Sequence, residues 1–240
     1  MQIVRRPITV DDQTSVSGLW AVPDAFQAGA TDAVVLAHGA GSDMHHPFLS
    51  FVHHALAARG FLSVTFNFPY TEQGRKAPDR AVKLEQTFHQ VLEQVRHHDT
   101  LAPRHIFAGG KSMGGRMASH LAAQGEELAG LVFLGYPLHP AKKFDTLRRD
   151  HLPRITCPML FLQGTRDPLC NLELLQQVLQ ALQPPTHLHV IAGGDHSFKV
   201  PKRSGRQAED IWQEIVQVIC HWLPAPVHGP LASRPQHPDD

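Results

Sequence analysis

His105-Ile106-Phe107-Ala108-Gly109-Gly110-Lys111-Ser112-Met113-Gly114-Gly115 sets an apolar run of strand length directly before a glycine-rich turn, and the chain then reads as helix from Arg116 to Gln124. At its centre, Gly110-Lys111-Ser112-Met113-Gly114 fits G-x-S-x-G, the pattern that places a serine on a strained strand-to-helix turn. The glycines at 110 and 114 fall where a Cβ would meet neighbouring backbone. A helix beginning there points free N–H groups and a partial positive charge at the turn, which suits a developing oxyanion. Such a pentapeptide also arises by chance in glycine-rich chains, so its weight depends on what surrounds it.

Working outward, short runs rich in Val, Ile, Leu and Phe recur at Ala33 to Ala37, Phe61 to Phe68, Leu128 to Leu134, Met159 to Leu162 and Leu188 to Ile191. Near-continuous apolar strands of this length suit a parallel sheet buried on both faces. Between them, Leu84, Phe88, Val91, Leu92 and Val95 form one helical stripe, as do Leu172, Leu175, Val178, Leu179 and Leu182. A last helix follows Ile211, Ile215, Val216, Ile219 and Leu223 and stops at Pro224, which cannot continue the backbone ladder. Gln2 to Val10 and Ser15 to Val22 read as two antiparallel strands at the sheet edge. The fold class is therefore α/β: a mostly parallel, doubly wound sheet with an antiparallel N-terminal edge, its ligand site beyond the carboxyl ends of the strands. Residues 1–223 are expected to form a single domain. Residues 224–240 carry five prolines and few large apolar groups, and are expected to be a disordered tail.

Two further residues take the chain order serine, acid, histidine, each in a loop after a predicted strand. Asp167 follows Met159 to Leu162 through Gln163-Gly164-Thr165-Arg166, and Pro168 restrains the loop. His196 follows Leu188 to Ile191 through Ala192-Gly193-Gly194-Asp195. A serine hydroxyl is a poor nucleophile until a base takes its proton, and a carboxylate fixes the tautomer of that base and stabilises its cation. Asp195 competes for the orienting role, but an acid adjacent to His196 in sequence would point to the other side of the turn. The strand Ala33 to Ala37 ends in His38-Gly39-Ala40-Gly41, and the loop there would supply a second oxyanion donor. Met113 N–H and Ala40 N–H are the expected pair, with Gly41 N–H as the alternative to Ala40. His38-Gly39 reads otherwise as a tight turn.

With these residues in place, the chain resembles the α/β hydrolases, and within them the dienelactone-hydrolase-like group that includes bacterial relatives of testis-expressed protein thirty. The resemblance covers about residues 33–222. It is carried by His38-Gly39-Ala40-Gly41-Ser42-Asp43-Met44, Phe66-Asn67-Phe68-Pro69-Tyr70, Gly110-Lys111-Ser112-Met113-Gly114-Gly115-Arg116, Phe161-Leu162-Gln163-Gly164-Thr165-Arg166-Asp167 and Gly194-Asp195-His196-Ser197. It implies an α/β-hydrolase fold, triad positions at Ser112, Asp167 and His196, and no cofactor or metal. Dienelactone hydrolases proper carry cysteine at the nucleophile position, so Ser112 withholds their lactone specificity from this chain.

Only about twenty residues, Pro137 to Cys157, separate the strand ending near Tyr136 from the one before Asp167, too few for a large lid domain. Met44, Phe48 and Tyr70 are expected either to line an acyl pocket or to pack the core. Arg75 and Arg116, with Lys111, Arg166, Lys76 and Arg80, either bind an acidic substrate group or brace the loops by pairing with Asp43, Glu72 or Asp79. His45-His46, His53-His54 and His97-His98 lack companion carboxylates or cysteines at ligand spacing and read as exposed histidines.

Composition bounds the rest. The 22 Lys plus Arg balance 22 Asp plus Glu, leaving no global field to attract nucleic acid or an anionic membrane. No run approaches the roughly 18 apolar residues of a membrane span, and the first residues lack an apolar signal core. Cys157, Cys170 and Cys220 form no C-x-x-C pair and read as reduced thiols, with one disulfide in a secreted protein as the alternative. The sequence reading is thus a cytoplasmic serine hydrolase acting on a small-molecule acyl substrate through an acyl-enzyme on Ser112. Peptidase, thioesterase or acyltransferase chemistry on the same residues, and a non-catalytic binding subunit, are the alternatives. Oligomeric state is not set by the sequence.

Overall fold

A computed structural model describes residues 1–224. Beyond Pro224, the expected tail lies outside the described residues. The elements follow in chain order as β1 (Gln2–Asp11), β2 (Thr14–Val22), β3 (Ala33–Ala37), α1 (Pro47–Ala57), β4 (Leu62–Phe66), α2 (Pro69–Glu72), α3 (Ala81–Arg96), β5 (Ile106–Lys111), α4 (Met113–Ala123), β6 (Gly130–Leu134), β7 (Met159–Gly164), α5 (Leu172–Gln180), β8 (Thr186–Ile191) and α6 (Ala208–Trp222). All eight strands join one sheet in the order β1-β2-β4-β3-β5-β6-β7-β8. β1 and β2, and β2 and β4, pair antiparallel, while every other neighbouring pair is parallel.

Strand geometry sends successive side chains to opposite faces, and the central strands obey it with apolar residues throughout. In β3, Ala33, Val35 and Ala37 join the core under α3, α4 and α5, whereas Val34 and Leu36 join the core under α1 and α6. β7 divides likewise, Met159 and Phe161 to one side and Leu160 and Leu162 to the other. The expected stripe of α3, Leu84, Phe88, Val91, Leu92 and Val95, is buried in full. In α5 the helix ends at Gln180, so Leu182 packs from the turn beyond it rather than from the helix. The strand expected from Phe61 to Phe68 spans only Leu62–Phe66, because Pro69 opens α2 and draws Phe68 into the cap.

The chain steps from β3 to β4 on one side and then crosses to β5 on the other. That reversal opens a crevice at the carboxyl ends of β3 and β5, the usual place for a ligand in such a sheet. Those two ends lead into His38 and Ser112 respectively. Pro137 to Cys157 contains only a short 3-10 turn at Leu152–Arg154, and among the described residues no large lid covers the crevice.

Candidate active site

β5 runs on through Gly109 and Gly110 to Lys111, and α4 begins at Met113, three residues earlier than the sequence pattern suggested. Ser112 alone makes the corner, with φ 51° and ψ −111°, a conformation that costs an L-residue energy and persists only where its surroundings impose it. The imposing contacts are the glycines. A Cβ on Gly110 would lie 2.1 Å from the Ala37 carbonyl oxygen, and one on Gly114 would lie 2.3 Å from the same atom. Backbone therefore packs on backbone, and the serine side chain is driven up into the crevice.

Two loops bring partners to it. His196 Nε2 lies 2.8 Å from Ser112 Oγ, and His196 Nδ1 lies 2.7 Å from Asp167 Oδ2. Asp167 is buried and its carboxylate is fully engaged: Oδ2 also accepts from Gln163 Nε2 at 2.5 Å, and Oδ1 accepts from the Leu169 N–H at 2.8 Å. Gln163 is itself held, its Oε1 accepting from the Tyr136 N–H at 2.9 Å. Asp195 serves the turn instead, accepting from the Ser197 and Lys199 N–H groups at 2.8 and 2.9 Å. A carboxylate with both lone-pair faces so arranged can orient an imidazole without wandering.

The loop after β3, expected to supply the second oxyanion donor, has a device of its own centred on His38. His38 is buried, and its Nε2 accepts from the Phe68 N–H at 3.1 Å. Since that nitrogen is an acceptor, the proton of the neutral ring sits on Nδ1, which donates to the Gly39 carbonyl oxygen at 2.9 Å. The Tyr70 hydroxyl donates to the same oxygen at 3.4 Å. In a trans peptide the N–H of the next residue points opposite to that carbonyl, so His38 and Tyr70, by holding Gly39 O inward, turn the Ala40 N–H outward to the crevice. Neither the Ala40 nor the Met113 N–H finds an acceptor among the described residues. Burial holds the His38 ring below the ordinary histidine range, which favours the neutral tautomer this arrangement needs.

A cavity of about 320 Å³ opens beside Ser112, walled by Phe48, Leu49 and Leu169 and by His38, Gly39 and Ala40 on the oxyanion side. Lys111, His46, Ser42 and Ser197 supply polar wall. Of the residues expected at the pocket, Phe48 and, among the basic candidates, Lys111 reach it. Met44 and Tyr70 are fully buried behind it, where the Met44 N–H donates to Asn67 Oδ1 and the Tyr70 ring packs on Phe68 and His38. Arg75 lies away from the cavity and pairs with Asp79 at 2.6 Å, the bracing alternative. Arg116 turns along α4 toward Tyr136 and Arg148 and does not line the cavity. His46, Leu49 and Leu169 are the wall residues that no motif announced, because they come from the start of α1 and from the loop after β7.

The histidine pairs do not gather ligands. His53, expected to be exposed, is instead buried on the inner face of α1 and meets Ser63 Oγ at 2.9 Å, while His54 is exposed as expected. His89, Glu93 and Glu126 do bring ligand atoms within 4.8 Å of one another between α3 and α4. Arg96 already binds both glutamates, and His89 Nδ1 lies 2.7 Å from Glu126, so the trio reads as an ion-pair network. The three cysteines are free thiols. No described helix is long and apolar enough to cross a membrane.

The fold and the sequence agree with known proteins. A dienelactone hydrolase from Anabaena variabilis superposes with a TM-score of 0.74 at 22% identity, covering 92% of this chain and 96% of that one. An α/β serine hydrolase homologue from Coxiella burnetii gives 0.71 at 19%, covering 93% and 98%. A serine hydrolase without lid from Xanthomonas campestris gives 0.70 at 19%, covering 94% and 97%. The sequence itself matches the alpha/beta hydrolase domain family over residues 30–224, most of its length. By that match the chain belongs to the alpha/beta hydrolase domain family, and it is a hydrolase.

Proposed function

We propose that the protein is a serine hydrolase of carboxylic esters or related acyl bonds, with Ser112 as nucleophile, His196 as general base and Asp167 as the group that orients it. The observation that carries the reading is the unbroken chain of contacts from Ser112 Oγ to His196 Nε2 at 2.8 Å and from His196 Nδ1 to Asp167 Oδ2 at 2.7 Å. Each distance suits proton transfer or its stabilisation.

In the first half-reaction Ser112 Oγ attacks the acyl carbon as His196 Nε2 takes its proton. The imidazolium is stabilised by Asp167, and the tetrahedral oxyanion is received by the Met113 and Ala40 N–H groups. Collapse breaks the bond to the leaving oxygen, which takes the proton from His196. Water then repeats the sequence on the acyl-enzyme: His196 accepts its proton, the acid departs and Ser112 regains its hydrogen.

The apolar wall of Phe48, Leu49 and Leu169 and the volume of about 320 Å³ favour a small acyl group, and the missing lid leaves the alcohol side open to solvent. Short-chain esters are accordingly the substrates of choice. Replacing Ser112→Ala should lower kcat on short p-nitrophenyl esters by about 10⁴-fold or more while the protein stays folded. A mutant that retains the wild-type rate would remove Ser112 from the chemistry.

A further inference from the structure

Lys111 stands between Gly110 and Ser112 in the cavity wall, and its stem is the part that meets Gly39. Its Nζ is buried, 5.5 Å from the centroid of the Phe198 ring, and finds no acceptor among the described residues. Gly135, at φ +76°, leaves it room: a Cβ there would lie 3.0 Å from Lys111 Nζ and 3.7 Å from His196 Cε1. The ammonium is therefore a close neighbour of the imidazole.

The acids that attract it are spoken for. Asp167 gives its oxygens to His196, Gln163 and the Leu169 N–H, and Asp195 gives Oδ1 to two N–H groups of its own turn. The aromatic face of Phe198 compensates a buried cation only in part. His46, also in the wall, carries no negative charge to offer, and Lys199 adds a further positive one nearby. Burial pushes Lys111 down to about 8, against the pull of Asp167 and Asp195, so at neutral pH most molecules still hold the charge. A buried charge without a partner is costly to the fold, and such costs concentrate where function uses them.

Resting on the serine-hydrolase reading, we infer that Lys111 Nζ is the anchor for a carboxylate on the acyl part of the substrate, so that the preferred substrates are half-esters of short dicarboxylic acids. The four-carbon stem lets Nζ swing about its own bonds into the cavity without disturbing Ser112. Binding would serve the chemistry as well as recognition. A cation beside His196 opposes the imidazolium that forms in the transition state, and a substrate carboxylate on Nζ cancels that opposition. Lys111 makes no bond and transfers no proton; the reaction remains ester plus water to acid plus alcohol.

The test compares ethyl hydrogen succinate with ethyl 4-oxopentanoate, its near-isosteric neutral counterpart, by titrating released acid at pH 7 with wild type and Lys111→Met. Wild type should favour the half-ester in kcat/KM by about 10- to 100-fold, the discrimination that one charge-assisted hydrogen bond supports, and Lys111→Met should bring the ratio to about one or below. Succinate should also protect Ser112 from a fluorophosphonate in wild type and not in Lys111→Met. Turnover of the neutral ester with no preference in wild type, or a preference that survives in the mutant, would overturn the role of Lys111 and leave the hydrolase standing. Failure of both esters together with absent labelling would overturn the hydrolase and the inference with it.

Discussion

The corner between β5 and α4 and the loop between β3 and α1 meet at the same crevice, yet they are built on opposite plans. The β5–α4 corner is rigid because backbone packs on backbone: Gly110 and Gly114 let the chain lie against Ala37, and Ser112 is forced to φ 51°. The β3–α1 loop has no such vice. Its Gly39–Ala40 peptide is aimed chiefly by side chains, with His38 hinged on the Phe68 N–H, Tyr70 closing on the Gly39 carbonyl from α2, and the Ser42 N–H donating to that carbonyl at 3.3 Å. Constraint by glycine is written in consecutive letters, whereas constraint by a buried hydrogen-bond relay is written across thirty residues. The first kind tolerates no substitution, and the second should fail by degrees.

That contrast orders the expected effects of mutation. On the side of the corner, Asp167→Asn leaves the shape of the His196 loop but offers the imidazole the wrong tautomer, and kcat should fall by about 10⁴-fold in steady-state ester hydrolysis. A loss of less than tenfold would mean that Asp167 is only a brace. On the side of the loop, His38→Ala frees the Gly39–Ala40 peptide without touching Ser112 or His196. Here kcat should drop by about 10- to 100-fold, short of the loss of a whole oxyanion donor, with KM little changed. An unchanged kcat would show that the relay is structural and that the comparison of the two loops is misdrawn.

The smallest effect is on stability, and it concerns the other buried imidazole of the β3–α1 side. Burial pushes His53 down to about 3 from an ordinary 6.5. The unfolded chain therefore takes up this proton first as pH falls, so the contribution of His53 to stability is complete above about pH 6.5 and drains away as pH falls toward 3. Urea unfolding at a series of pH values should show stability declining over that window. His53→Leu should flatten the decline by up to about 1.4 kcal/mol per pH unit. An identical slope in the mutant would assign the acid sensitivity to the buried His38 and the half-buried His151, whose pKa values burial also lowers.

What the sequence disclosed follows the same division. The strands, the helical stripes and the serine corner were legible because each is a local pattern of apolar spacing or glycine placement. Asp167 and His196 were legible because strand ends and chain order restrict where partners can stand. His38, by contrast, reads as a turn residue until Phe68 and Gly39 are seen on either side of its ring. Lys111 is one of six basic candidates in the sequence, and what sets it apart, a place in the cavity wall with Nζ buried and without an acceptor among the described residues, depends on depth that no local pattern encodes. Tyr70 and Met44 were ambiguous between wall and core, and only the depth at which α2 and the β3–α1 loop pack decided for core. Arg75 and Asp79, four residues apart in an exposed segment, settle into the ordinary surface pair that sequence spacing permits.

The most direct test of the account is to expose the intact protein to a fluorophosphonate and locate any adduct by peptide mass spectrometry, with Ser112→Ala and His196→Ala alongside. The account predicts one phosphonylated residue, Ser112, with labelling abolished in Ser112→Ala and slowed by orders of magnitude in His196→Ala. A folded wild type that takes no label, or one that labels elsewhere with Ser112 unmodified, would contradict it.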